Sequence, residues 1–197
     1  MASTDFYMKN FALIVLFIIS MVSSAQTADK SLPYYELPEY SENFTAGTVA
    51  ARQVEALGFR YYWATNNLVE KDLAYKSDKD ARSVDETIEH ILNLSYVIVN
   101  STLKKPNEKT DFSQLDFEAK RKQTLINLKI AADILKQSDD ISQFKIILGE
   151  REVPFWNAIN GPIADAIWHC GQIASFRRIT GNPINPNVNH FMGTVKE

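Results

Sequence analysis

The sequence predicts an all-α fold, a four-helix bundle. Three observations carry this. Apolar residues recur at the three-and-four spacing of an amphipathic helix in four separate stretches. No strongly alternating set of apolar and polar residues, as a half-buried sheet needs, occurs between them. Capping and stop residues punctuate the stretches where helices would begin and end. With 197 residues, 45% of them hydrophobic and 23% charged, the chain can bury one good core and reads as one globular unit.

Before that unit, residues 1–25 read as a signal peptide. Lys9 is the positive n-region, Phe11 to Val22 the apolar run, and Ser23-Ser24-Ala25 a small-residue cleavage site before Gln26. The run is short for a membrane span, which takes about 20 apolar residues. A secreted or periplasmic protein is expected, with no stable membrane anchor after cleavage. Cys170 is the single cysteine of the chain, so no intrachain disulfide contributes to stability. Residues 26–45, polar and marked by Tyr and Pro, read as an extended arm.

The bundle is expected over 46–181. The first helix runs from about Ala46 to Lys71, with Ala50, Val54, Leu57, Tyr61, Ala64 and Leu68 as its buried stripe. Asp78 to Arg82 is a charged connection. Ser83-Val84-Asp85-Glu86 is a capping-box pattern that opens the second helix. Its stripe is Val84, Ile88, Ile91, Ser95 and Ile98, and Pro106 blocks continuation. The third helix runs from about Asp116 to Lys136 through Phe117, Thr124, Leu128, Ala131 and Leu135. The run Phe144 to Leu148 fits strand or helix, and Val153 to Asn160 reads as a short helix. Pro162 is tolerated at a first helical position, and the fourth helix follows from about Ile163 to Ile179. Gly181-Asn182-Pro183 stops it, and 182–197 reads as an irregular tail. The links 72–82 and 104–115 are long enough for crossover-type connections.

The fourth helix also carries the chemistry. Asp165 and His169, four apart, stand one above the other on a helix, as a ligand pair does, and Gln172 extends that face by a turn. His90 lies at the margin of the second helix's apolar arc, where a side chain can face a cleft. His90, Asp165 and His169 together make a two-His, one-carboxylate set with open coordination positions. Such a set suits a divalent metal; Zn, Ni, Mn and Fe all fit it. The plain alternative is a hydrogen-bonded structural His and a local Asp–His pair. Glu86 also stands four before a His, but its capping role explains it. Cys170 points about 100° away from His169 and reads as a small buried hydrophobe.

The second-helix His, followed by His169-Cys-Gly-Gln172-Ile, Arg177-Arg178 and Gly181-Asn-Pro183, resembles the DinB-like metalloprotein superfamily, over about Val49 to Pro183. The resemblance implies a four-helix bundle of unusual connectivity with a three-His metal site, one His from helix 2 and a His-x3-His pair from helix 4. Carried over, His90 and His169 match the outer ligands, and Asp165 stands at the middle position, a departure from the pattern. The family includes thiol-dependent transferases and isomerases, and its bundles commonly pair as homodimers. Tyr61-Tyr62-Trp63 offers an aromatic face for such pairing.

A formal net charge of −3 argues against nucleic acid as a partner. Lys120-Arg121-Lys122 and Arg177-Arg178 read as solvated helix faces. The expected function is a metal-dependent, hydrolase-like enzyme using metal-activated water on a small molecule, with Gln172 as a support to the ligands or a substrate contact. Two alternatives stand beside it: a non-catalytic binding or structural bundle with a vestigial site, and a thiol-dependent S-transferase should the protein be cytosolic.

Overall fold

The computed structural model describes residues 29–196, and the expected signal peptide with its cleavage point before Gln26 lies outside the described residues. The fold is mainly α, with two small antiparallel hairpins. No helix among the described residues is long and apolar enough to cross a membrane.

Helix α1 spans Ala46–Thr65. Thr45 caps it: the Thr48 N–H donates to Thr45 Oγ1, and the Thr45 N–H donates to Thr48 Oγ1 in return. Its stripe is buried along its whole length, down to Leu68 just beyond the helix. The helix ends earlier than the periodicity predicts. Asn66 is extended, Asn67 takes a left-handed φ of 58°, and a separate turn of helix forms at Glu70–Leu73. Asn tolerates that conformation better than most residues.

Helix α2 spans Val84–Thr102. The predicted capping box is present, with Glu86 N–H donating to Ser83 Oγ at 3.1 Å and Ser83 N–H donating to Glu86 Oε2 at 2.6 Å. Helix α3 spans Phe117–Lys136, with the Asp116 carboxylate accepting from Ala119 N–H. Helix α4 spans Ala164–Ile179 and stops at Gly181, whose φ is 82°.

Between α3 and α4 the chain departs from a simple helical link. Strands β1, Lys145–Leu148, and β2, Arg151–Pro154, pair as a hairpin around Gly149, which takes a φ of 59°. The apolar run that fitted either period is therefore a strand. The expected helix from Val153 begins later: one turn at Trp156–Ala158 runs into a π turn at Ile159–Ile163, broken at Gly161. Gly161, at φ −98° and ψ −107°, leaves helical geometry, and Pro162 stands first after that break, as the sequence predicts. The tail is more ordered than an irregular segment: β3, Val188–Asn189, pairs with β4, Thr194–Val195. It is tied to the N-terminal arm, since Leu37 N–H donates to Gly193 O and Val195 N–H donates to the Glu36 carboxylate.

The four long helices pack in pairs. Helix α3 lies against α1 and α2, and α4 against the same two. The side chains of Leu57, Ile88, Leu128 and Ile173 are wholly withdrawn from water where these faces meet. Each such side chain contributes about 1.5–3 kcal/mol relative to exposure.

Two sequence expectations about the surface are overturned. Tyr61, Tyr62 and Trp63 are buried within the chain, so they offer no face to a second copy. Three successive helical positions point in directions spread over about 200°; all three are covered because α3, α4 and the arm close around α1. Trp63 Nε1–H donates to Tyr35 O in the arm at 3.0 Å. The basic clusters are solvated only in part: Lys122 and Arg178 are exposed, but Lys120, Arg121 and Arg177 are buried. Lys120 is held between Asp85 and Glu89, at 3.0 Å from each. The Arg121 guanidinium stacks 4.7 Å from the Tyr62 ring centre and donates to Thr65 Oγ1. Arg177 donates to the Trp63 and Ala64 carbonyls, the electronegative end of α1. Helical periodicity shows which side of a helix faces inward but not whether a buried cation has partners there.

Candidate metal centre

Asp165 lies in the first turn of α4 and His169 one turn on. The carboxylate is favoured there by the positive end of the helix dipole. His90 is in the second turn of α2, on the edge that faces α4. The three predicted residues meet: one ligand atom from each of His90, Asp165 and His169 lies within 4.8 Å of the others.

Asp165 stands between the two imidazoles. Its Oδ2 is 3.1 Å from His90 Nε2, and its Oδ1 is 3.5 Å from His169 Nε2. The rings lie edge to face, with centres 4.8 Å apart. Bonds of about 2.0–2.2 Å to one ion place neighbouring ligand atoms roughly 3–3.5 Å apart. The two Asp165 distances fall in that range, one from each carboxylate oxygen; with one ligand atom per residue the three lie within 4.8 Å. All three side chains are partly exposed, Asp165 the most at 42%, so solvent or a small molecule reaches the group.

Gln172 Oε1 lies 2.6 Å from His169 Nδ1; with the ring proton on Nδ1, that N–H donates to Oε1 and the tautomer presents a bare Nε2. That Nε2 faces Asp165 Oδ1, which also carries only lone pairs. Two acceptors 3.5 Å apart repel unless a cation lies between them, either a proton or a metal ion. Two imidazole nitrogens and a carboxylate oxygen are a donor set that fits Zn, Ni, Mn or Fe. The residues of this cluster could therefore hold a metal ion.

Glu86 is taken up by the α2 cap and by Lys76, 3.2 Å away, which leaves it outside the cluster. Cys170 is buried on another side of α4, and burial raises its thiol pKa to about 12. His190, in the tail, sits with its ring centre 5.7 Å from that of Phe59, remote from the other two histidines in its contacts. Arg82 reads in the sequence as part of a charged connection. It lines a cavity shared with His169 and Gln172. Its position directly before the Ser83 cap was the available signal, since that places it beside the first turn of the helix that carries His90. A scan of protein-family models and a search of curated proteins each find no match to the chain.

Proposed function

We propose that the chain is an exported, DinB-like four-helix bundle that binds one divalent metal through His90, Asp165 and His169 and acts as a hydrolase-like enzyme on a small molecule. The observation that carries the reading is the pair of facing acceptors, His169 Nε2 and Asp165 Oδ1, with Gln172 holding the ring proton on the far nitrogen. The bundle topology is supported by the packing of α3 and α4 each across α1 and α2, with long links between consecutive helices.

When bound, a divalent ion supplies a Lewis acid that brings the pKa of a water towards neutrality. The protein's share is positional. Gln172 Oε1 keeps the proton on His169 Nδ1, and Asp165 spans both imidazoles. To bind through Nε2, His90 would carry its ring proton on Nδ1, and an imidazolium would first have to lose a proton, so metal affinity should fall in acid.

The test is metal-dependent stability of the mature protein, purified without chelator or affinity-tag nickel. A native-state ligand adds about 2.7 kcal/mol at a hundredfold excess over its dissociation constant. His90→Ala and His169→Ala should each abolish the metal-dependent rise in Tm, whereas His190→Ala should keep it. With no rise in the wild type and no metal by elemental analysis, the vestigial, non-catalytic bundle becomes the better reading. Mass spectrometry of the N-terminus from the native host tests export; an intact, cytosolic protein would favour the thiol-dependent transferase. Pairing of two copies would use a surface other than Tyr61-Tyr62-Trp63, and light scattering at micromolar concentration tests it.

A further inference from the structure

Beyond the ligand cluster, a cavity of about 230 Å³ lies between α2, α4 and the connection that precedes α2. His169 and Gln172 wall it on α4, and Phe176 stands seven residues along from His169, about 10 Å at 1.5 Å per residue. Thr87 lines it from α2, one turn before His90, while Ser77 and Arg82 enter from the connection. The space is below the roughly 300 Å³ at which drug-sized pockets begin, so its occupant is small.

The Thr87 hydroxyl is used up in donating to Ser83 O at 2.8 Å, but three other polar groups around the cavity are donors without acceptors. The Arg82 guanidinium, the Ser77 hydroxyl and the Gln172 amide nitrogen have no hydrogen-bond or ion-pair partner among the described residues. The nearby acids are engaged elsewhere. Asp78 accepts from Asp80 N–H, Asp80 lies 3.9 Å from Lys79, and Glu86 is bound by Ser83 N–H and Lys76. The Gln172 amide has its oxygen on His169 and its nitrogen left over, so the same side chain touches the ligand cluster and the cavity. A guanidinium fork matches a carboxylate or a phosphate, and Phe176 supplies an apolar wall for the carbon between the two ends.

We propose that this cavity takes the anionic end, carboxylate or phosphate, of a small substrate whose reacting group lies at His90, Asp165 and His169. The proposal rests on the metal-site reading above. Arg82 and the Gln172 amide fix the anion, and the small cavity limits the chain between the two ends to a few atoms.

Calorimetry tests it in two steps. Zinc is titrated first into wild type, Arg82→Gln, Arg82→Lys and Arg178→Gln, the last an exposed arginine outside the cavity. Glutarate and inorganic phosphate, the probes for the two anion sources, are then titrated into the zinc-loaded and metal-free proteins. All four proteins should bind zinc equally. Arg82→Gln should bind the preferred anion at least tenfold more weakly, Arg82→Lys should fall between, and Arg178→Gln should match wild type. Zinc binding with no Arg82-dependent anion binding overturns the inference and leaves the metal site standing. Arg82-dependent anion binding without zinc binding supports the cavity and removes the metal reading. Absence of both overturns both.

Discussion

Gln172 Oε1 sits 2.6 Å from His169 Nδ1, one helical turn along α4, and so decides which nitrogen of that ring is free to bind. A carboxamide oxygen in this place does what a carboxylate or backbone carbonyl does behind many ligating histidines. It holds the tautomer and the ring plane together.

Removing that oxygen should weaken the metal site without breaking the helix. Gln172→Leu is expected to lower zinc affinity by about 10–100-fold, and Gln172→Glu, which keeps an acceptor, should restore most of it. Competition against a chromophoric chelator measures both. Equal affinity in Gln172→Leu and wild type would show that the contact is incidental.

Asp72 ties the turn after α1 to the end of α4. It accepts from Thr180 Oγ1, from Asn182 Nδ2 and from the Val69 N–H. Burial pushes its pKa up, but these hydrogen bonds and the Arg177 charge outweigh burial and hold it below the usual carboxylate range. A depressed folded-state pKa gives stability that is complete above the unfolded value, about 3.9, and is lost as pH falls through the folded one. Asp72→Asn should therefore flatten the acid limb of a stability–pH profile below about pH 4. It should also cost roughly 1–3 kcal/mol at neutral pH, read by urea unfolding.

Glycines at two positions should respond to alanine with opposite sign. A Cβ at Gly47 would overlap the carbonyl oxygens of Leu135 and Ser138, where α1 crosses the end of α3. Backbone cannot step aside as a side chain can, so Gly47→Ala should cost about 1–3 kcal/mol. Gly171, inside α4, has open space around its Cβ position. Gly171→Ala should stabilise by roughly 0.5–1 kcal/mol. Urea midpoints of the two variants check the pair.

Cys170 should be inert in the native state. It is buried, and burial lifts its pKa to about 12, which leaves almost no thiolate at neutral pH. Alkylation by iodoacetamide should be slow in buffer and become fast in denaturing urea, with one adduct by mass. Prompt labelling of folded protein would mean that α4 opens locally.

Much of this arrangement can be read from residue spacing. The stripes of α1 and α2 are buried where the period places them, as is that of α3 apart from the half-buried Phe117, and Asp165 and His169 share a face because four residues make about one turn. His90 meets them through tertiary packing, which no local pattern specifies. The failures have a common cause. Charge at Lys120, Arg121 and Arg177 argues for solvent until the partners are known, and those partners, Asp85, Tyr62 and the end of α1, are remote in sequence. The short run Phe144 to Leu148 has too few residues to separate a period of 2 from one of 3.6, so the sequence leaves the hairpin undecided. The break read at Gly161-Pro162, by contrast, is present: Gly161 leaves helical geometry before α4.

The break at Gly161 separates α4 from the helical turn before it. Gly161 takes φ −98° and ψ −107°, outside the helical range, so the rotational phase of α4 is set by its own packing against α1 and α2 and not by the turn at Trp156–Ala158. The side of α4 that carries Asp165 and His169 towards His90 therefore belongs to that helix alone, and changes of length before Gly161 should leave the pairing in place.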